Sequence, residues 1–344
     1  MPTDTLRVVT ESAWLLQGVR FRPARSTILR HRVTLMEENR RQLAHQLAAD
    51  RAAPESDAVR RLPPREQARV LELAIDEMAY REASKPQPSE RAKHVTLALL
   101  KARNRLEVPD QTPVIPVPKA LPDQGHKSAR AGFGYGYEEP RHFAQLELQP
   151  AYHDLMDPEQ GYTRGAQVQF LNLALRLYPE DQGVELERLD AIDIVPLSPW
   201  NRFMKPFSWK VNLGVARRRF DGGDRSLVGR LHPGVGLSYE LTERSMIYAF
   251  ADGALELSNR FDQRFAVGIG PSLGMIHDVS ERWRVGLSAR LQHYLLGEPT
   301  DLHQITLGQR VRLTKQSALR FDLSWTREIG ASFFGANASL LLYF

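Results

Sequence analysis

Cysteine is absent from the 344 residues. That excludes disulfides, thiolate metal sites and cysteine nucleophiles for this chain. No apolar run approaches the roughly 18 residues that a membrane-crossing helix needs, and mean hydropathy is -0.39. Helical spans are therefore excluded. A membrane barrel is not, because its strands are short alternating segments that leave average hydropathy low. The start, Met1-Pro2-Thr3-Asp4, has neither a charged n-region nor an apolar h-region, so no secretory signal is visible there. A bacterial outer-membrane barrel must be exported, so the expectation is a C-terminal part of a longer precursor. A GxSxG elbow, a P-loop and a GxGxxG ahead of a helix are also missing, which removes the usual sequence grounds for a serine hydrolase or a nucleotide site. No catalytic residue, cofactor or metal ligand is assigned from sequence.

Charge is unevenly placed. Residues 1–124 carry 21 Lys and Arg against 16 Asp and Glu, so the whole excess of +5 lies there. The two signs are interleaved, which reads as solvated helix faces and gives no ground for a nucleic-acid partner.

Residues 1–124 read as helical. Leu6, Val9, Trp14 and Leu15 suggest a helix over 4–17, with Asp4 or Thr5 as N-cap. The longest helical pattern runs from Ser26 to Asp50, with Glu37-Glu38-Asn39-Arg40-Arg41 as its polar side. A loop over 52–64 and a helix over about 65–83 follow, and Pro86 and Pro88 break that helix. Ser89-Glu90 opens another, with Val95, Ala98 and Leu99 on one face. His31, His45 and His94 lack HExxH spacing and read as ordinary histidines. Pro109, Pro113, Pro116, Pro118 and Pro122 mark an extended linker and the domain boundary.

From residue 125 to 344 the period changes to two, which predicts a mainly β fold: an antiparallel outer-membrane β-barrel of about twelve strands. The strands are expected to begin near Ala131, Phe143, Gly165, Val184, Phe207, Val228, Ser245, Phe265, Arg282, Leu302, Ala318 and Ser332. One face reads Trp209, Val211, Leu213, Val215; the face between reads Lys210, Asn212, Gly214, Ala216. Trp283 to Leu291 alternates with Arg284 to Gln292, and Leu319 to Trp325 with Arg320 to Thr326. Successive strand residues face opposite sides, so one surface is apolar and the other small, polar or charged. Trp209, Trp283, Trp325 and Phe344 fall near strand ends, as interfacial girdles do. Short connections at 242–244, 278–281 and 314–316, with longer ones at 217–226, 259–264 and 297–301, suggest periplasmic turns alternating with extracellular loops. Arg284, Arg290, Arg310, Arg312 and Asp322 would fill a small lumen and leave it mostly closed. Gly132-Phe133-Gly134-Tyr135-Gly136 reads as a Gly-rich strand, not a phosphate loop.

The run Gln149 to Tyr178 carries Tyr152, His153, Asp154, Asp157, Pro158 and Gly161. Tyr152 and Asp154 should share one strand face and His153 the other, so His153 and Asp154 are poorly placed to pair. Asp154 and Asp157 suit a turn, with Pro158 fixing φ and Gly161 permissive. A ligand or metal contact, or catalysis, stays open for the same residues.

This run, Pro150-Ala151-Tyr152-His153-Asp154-Leu155-Met156-Asp157-Pro158 with Gly161-Tyr162 and Gly165-Ala166-Gln167-Val168, resembles the C-terminal part of bacterial proteins of the Lnb N-terminal periplasmic domain family, a family of largely unknown function. Gln149 stands where the family pattern has Arg. Further matches are Gly125-His126-Lys127-Ser128, Leu197-Ser198-Pro199, Pro206-Phe207-Ser208-Trp209, Arg22-Pro23-Ala24 and the opening Pro2 to Arg7. The resemblance implies a Gram-negative outer-membrane barrel with a periplasmic N-terminal region. It also implies an upstream periplasmic domain with a papain-like Asn-Cys motif, which this cysteine-free chain does not contain. The C-terminal face Ala336, Ala338, Leu340, Leu342, Phe344 is similar to the signal that such barrels present to the barrel-assembly machinery. The implied partners are outer-membrane lipid, that machinery and the upstream domain. The expected function is an anchor or scaffold for a periplasmic module. The alternatives are a lipid hydrolase-like barrel enzyme with His153 or another strand histidine as base, a small pore, or a soluble all-β binding domain.

Overall fold

The structure, a computed structural model, describes residues 23–83, 85–110, 114–115, 125–180, 183–201, 205–220, 223–298 and 300–344. The expected helix over 4–17, the opening match and most of the Pro-rich stretch lie outside them. The chain divides into a helical unit and a β unit, with the division at 118 and 119.

The helical unit holds α1 (Arg25–Thr34), α2 (Glu38–Ala48), α3 (Asp57–Arg60), α4 (Pro64–Glu82) and α5 (Glu90–Asn104). Two expectations are corrected. The single helix from Ser26 to Asp50 is broken at 35–37, and the loop over 52–64 contains the short α3. The break lets α1 and α2 each lay a buried side, Leu29 with Val33 and Ala44 with Leu47, on the same long α4. Ser89 caps α5, its hydroxyl accepting from Ala92 N at 3.2 Å. Not all the charge is solvated. Buried Arg32 reaches Glu72 at 2.5 Å and Asp76 at 2.8 Å, and Arg103 reaches Glu72 at 2.8 Å, so one ion-pair network ties α1, α4 and α5.

Burial pushes the Glu77 carboxyl up to about 7, against the pull of Arg81. Asp76 is raised in the same sense, also by burial. A carboxyl raised in the folded state binds its proton more firmly there than in the unfolded chain. Its contribution is present at low pH and lost as pH rises through the folded value. The helical unit is therefore expected to melt at progressively lower temperature as pH rises from about 5 to above 7, as read by ellipticity at 222 nm. A melting temperature that rises over that window removes Glu77 as the controlling group.

The β unit is one antiparallel sheet closed on itself. Its segments are β1 (Arg130–Glu138), β2 (Arg141–Gln149), β3 (Ala151–His153), β4 (Ala166–Tyr178), β5 (Gly183–Pro196), β6 (Ser208–Arg219), β7 (Arg225–Thr242), β8 (Ser245–Leu257), β9 (Phe265–Asp278), β10 (Trp283–Leu296), β11 (Asp301–Arg312), β12 (Ser317–Glu328) and β13 (Ala331–Tyr343). β1 pairs with both β2 and β13, which closes the ring. β2 and β3 both pair with β4 in one register, so they are halves of a single strand and the described barrel has twelve. The interruption falls at Pro150, which has no N–H to give the ladder. Across from it Leu171 takes φ 54°.

The wall is apolar outside and polar inside, the reverse of a soluble sandwich. Trp209 is 46% exposed and Trp283 40% exposed, while their neighbours Lys210 and Arg284 turn inward to Asp252 at 2.7 Å and Asp278 at 2.7 Å. Leu340, Leu342 and Phe344 face outward, and Leu341 and Tyr343 are buried. Phe207, Trp209, Trp283 and Phe344 ring the rim where β1 starts and β13 ends (the terminal rim), and Trp325 and Phe334 stand toward the distal rim. An outward apolar band between aromatic girdles is outer-membrane barrel architecture.

The short connections expected at 242–244, 278–281 and 314–316 and the longer ones at 217–226, 259–264 and 297–301 do fall on opposite rims, but the lengths do not alternate throughout. The two longest connections, 154–165 and 197–207, lie on the terminal rim with the short turns. The reason is that 154–165 is not a surface loop. It folds into the lumen.

Candidate functional site

The segment after β3 closes the terminal end of the lumen as a plug. Leu155 packs against the inward apolar cluster of Val195, Leu197, Met246, Phe250 and Ile276. Met156 lies over Gly286 and Gly308, which pair across β10 and β11. A Cβ at Gly286 would stand 2.7 Å from the Met156 sulfur, so glycine makes room for the plug there. Arg284 donates to the carbonyls of Leu155 at 2.8 Å and Asp157 at 3.0 Å. Arg320 donates to Asp154 at 2.8 Å. The plug also turns on itself: Asp157 N donates to Asp154 O at 2.8 Å, Asp154 N to the Asp157 carboxylate at 3.1 Å, and Met156 N to the Asp154 carboxylate at 2.8 Å. Gly161 takes φ 82°.

Asp157 is the centre of this arrangement and is fully buried. Its Oδ1 accepts from Arg310, from Tyr343 at 3.1 Å and from Arg130 at 3.4 Å. Its Oδ2 faces two imidazoles, with His126 Nε2 at 3.7 Å and His153 Nδ1 at 3.9 Å. Those two nitrogens are 3.2 Å apart. Tyr162 stacks on His153 at 4.3 Å and on His126 at 4.5 Å, and its hydroxyl donates to the His126 carbonyl at 2.8 Å. His126 Nδ1 donates to Lys127 O at 2.7 Å. Burial lowers the His126 imidazole below its ordinary value, and a neutral ring that donates from Nδ1 carries its lone pair on Nε2.

The expectation of opposite faces for His153 and Asp154 fails because β3 ends at His153. Asp154 already belongs to the turn, and both residues are buried. His153, Asp154 and Asp157 are brought together. Tyr152 pairs with Gln169 in the ladder, and its side chain lies outside the described residues. Pro158 and Gly161 belong to the plug backbone. Sequence reasoning did not connect His126, Arg130, Arg310, Tyr162 and Tyr343 to this site. The signal for the first was the Gly125-His126-Lys127-Ser128 match, read without a place in space.

Ion pairs also cross the lumen toward the distal end. Arg225 reaches Glu138 at 3.3 Å, and Arg218 reaches Glu328 at 2.9 Å. Each pair joins strands on facing sides of the ring, β7 to β1 and β6 to β12. Phe220, Val228, Phe261, Tyr294 and Leu302 pack beside them. Between the plug and these pairs lies a polar cavity of about 540 Å³. Ser245 and His277 pair at 2.8 Å near the terminal rim. No carboxylate orients His277 among the described residues, so the pair lacks the third group that activates a nucleophile.

A family described as a domain of unknown function (DUF7840) matches residues 119–343, and another so described (DUF7842) matches residues 19–115. No relative is found among curated proteins. Among solved structures the chain is similar to the NanC porin, at 8% identity and TM-score 0.39, covering 63% of this chain and 100% of that one. It is similar to the KdgM porin in complex with disordered oligogalacturonate, at 8% identity and TM-score 0.36, covering 62% and 99%. It is also similar to an anion-selective porin from Comamonas acidovorans, at 12% identity and TM-score 0.30, covering 63% and 98%.

Proposed function

The chain belongs to the DUF7840 family of domains of unknown function, and from that premise we propose a sealed outer-membrane β-barrel that anchors its helical unit in the periplasm. The observation that carries this reading is the obstruction of the lumen by the plug on Asp157, with the Arg218–Glu328 and Arg225–Glu138 pairs crossing it farther along. The wall is built for lipid, and among the described residues these groups stand in the lumen. The chain enters β1 and leaves β13 at the same rim, where Phe344 N donates to Ala129 O at 2.9 Å. We take that rim, from which both chain ends leave the barrel, as the periplasmic one and so assign the helical unit to that compartment. The resemblance to the Lnb N-terminal periplasmic domain family fits the same arrangement, with any upstream module on that side.

A small pore is the second reading, favoured by the polar cavity of about 540 Å³, and it requires the plug to leave. Refolded protein in detergent separates these readings. It is expected to resist SDS until boiled, then change gel mobility, and to stay electrically silent in planar bilayers. Stable conductance steps would replace the anchor with a pore. Monodisperse protein without detergent and without a heat-dependent shift would remove the membrane reading altogether.

A further inference from the structure

We propose that His126, His153 and Asp157 form a binding site for one divalent transition cation of the zinc class, which clasps the plug and the segment entering β1 to each other. The three donor atoms are 3.2, 3.7 and 3.9 Å apart. A point equidistant from them lies about 2.1 Å from each, the length of a zinc bond to imidazole nitrogen or carboxylate oxygen. Two imidazoles and a carboxylate suit zinc, cobalt or iron better than calcium or magnesium.

What surrounds the triad is what a metal centre needs around its ligands. The Lys127 carbonyl takes the Nδ1 proton of His126 and leaves Nε2 free to coordinate. Tyr343, Arg310 and Arg130 hold the far oxygen of Asp157, and Asp154 N donates to the near one, Oδ2, at 3.1 Å, which fixes it facing the histidines. Tyr162 stacks on both rings and fixes their planes. The three ligands come from three places: the approach to β1, the last residue of β3, and the plug. An ion there would pin the approach and the plug where β3 ends. The competing account of the 3.2 Å approach is one proton shared by the two rings.

The test uses the full chain, refolded in detergent, stripped with chelator and checked by its heat-dependent gel shift. Titration with Co2+ should give one equivalent bound, visible absorption bands of a four- or five-coordinate site, and displacement by Zn2+. His126→Ala and His153→Ala should each weaken Co2+ by about 100-fold or more, since loss of outer-shell partners alone costs 10–100-fold. Should those variants fail the gel-shift check, X-ray absorption on wild type loaded with one equivalent of Zn2+ decides. Two imidazoles with light atoms at about 2.0–2.2 Å support the site, and an all-oxygen shell overturns it. Wild type that folds but binds no Co2+, or alanine variants that fold and bind it unchanged, also overturn the site and leave the shared proton.

Discussion

Asp157→Ala is expected to lower barrel stability by about 3–5 kcal/mol, the cost of removing one partner from a buried ion pair. Arg310 and Arg130 are each 2% exposed. Without the Asp157 carboxylate Arg310 has no water to turn to, while Arg130 keeps Asp154 at 3.6 Å and Glu147 at 3.8 Å. Arg310 would lose the acceptor that its Nη1 holds, and Tyr343 would lose its partner as well. The backbone turn weakens at the same time, because Asp154 N donates to that carboxylate. Asp157→Asn keeps the shape and some hydrogen bonds but drops the charge, so it should cost less. The measurement is tryptophan fluorescence against urea in lipid vesicles, with chelator present so that any bound ion plays no part. Trypsin gives a second readout, since a released plug exposes the bond after Arg164. An unchanged midpoint with no cleavage at Arg164 would mean that Asp157 does not hold the plug.

A positive charge on the outer wall should cost nearly as much, but only if lipid lies there. Leu287 is half exposed near the middle of β10, between Leu307 of β11 and Met275 of β9. Leu287→Arg is expected to cost about 2–4 kcal/mol on folding into a bilayer, because the guanidinium then sits in hydrocarbon. Leu257→Arg, equally exposed but at the distal end of β8, should cost about 0–1 kcal/mol, as interfacial positions do. In water both would be surface substitutions within about 0.5 kcal/mol of wild type. The difference between the two variants, read by the same vesicle titration, therefore reports the membrane directly. Equal, small effects would leave a soluble barrel with an exposed apolar surface.

Much of the architecture was legible one strand at a time. A strand shows its two faces every second residue, so Trp209 beside Lys210, or Leu287 beside Ser288, declares outside and inside without reference to any other strand. The strand starts at Ser245 and Phe265 fall where sequence places them, and those near Arg282, Leu302 and Ala318 within one residue. The helix break at 35–37 was not legible, because both halves keep helical periodicity and only their shared packing on α4 shows why they separate.

The site depended on the closed ring. Asp157 meets Arg310 across 153 residues and Tyr343 across 186, and His126 meets His153 across 27. No local period records such meetings. They follow from the number of strands, their register and the inward fold of a connection whose Asp, Pro and Gly content predicts only a turn. By itself the sequence determined which residues face outward and which face the lumen, because that choice repeats every two residues. Only the tertiary structure decided that a connection folds into the lumen as a plug and that two histidines and a carboxylate share one buried corner, because side chains facing inward acquire neighbours only when the sheet closes.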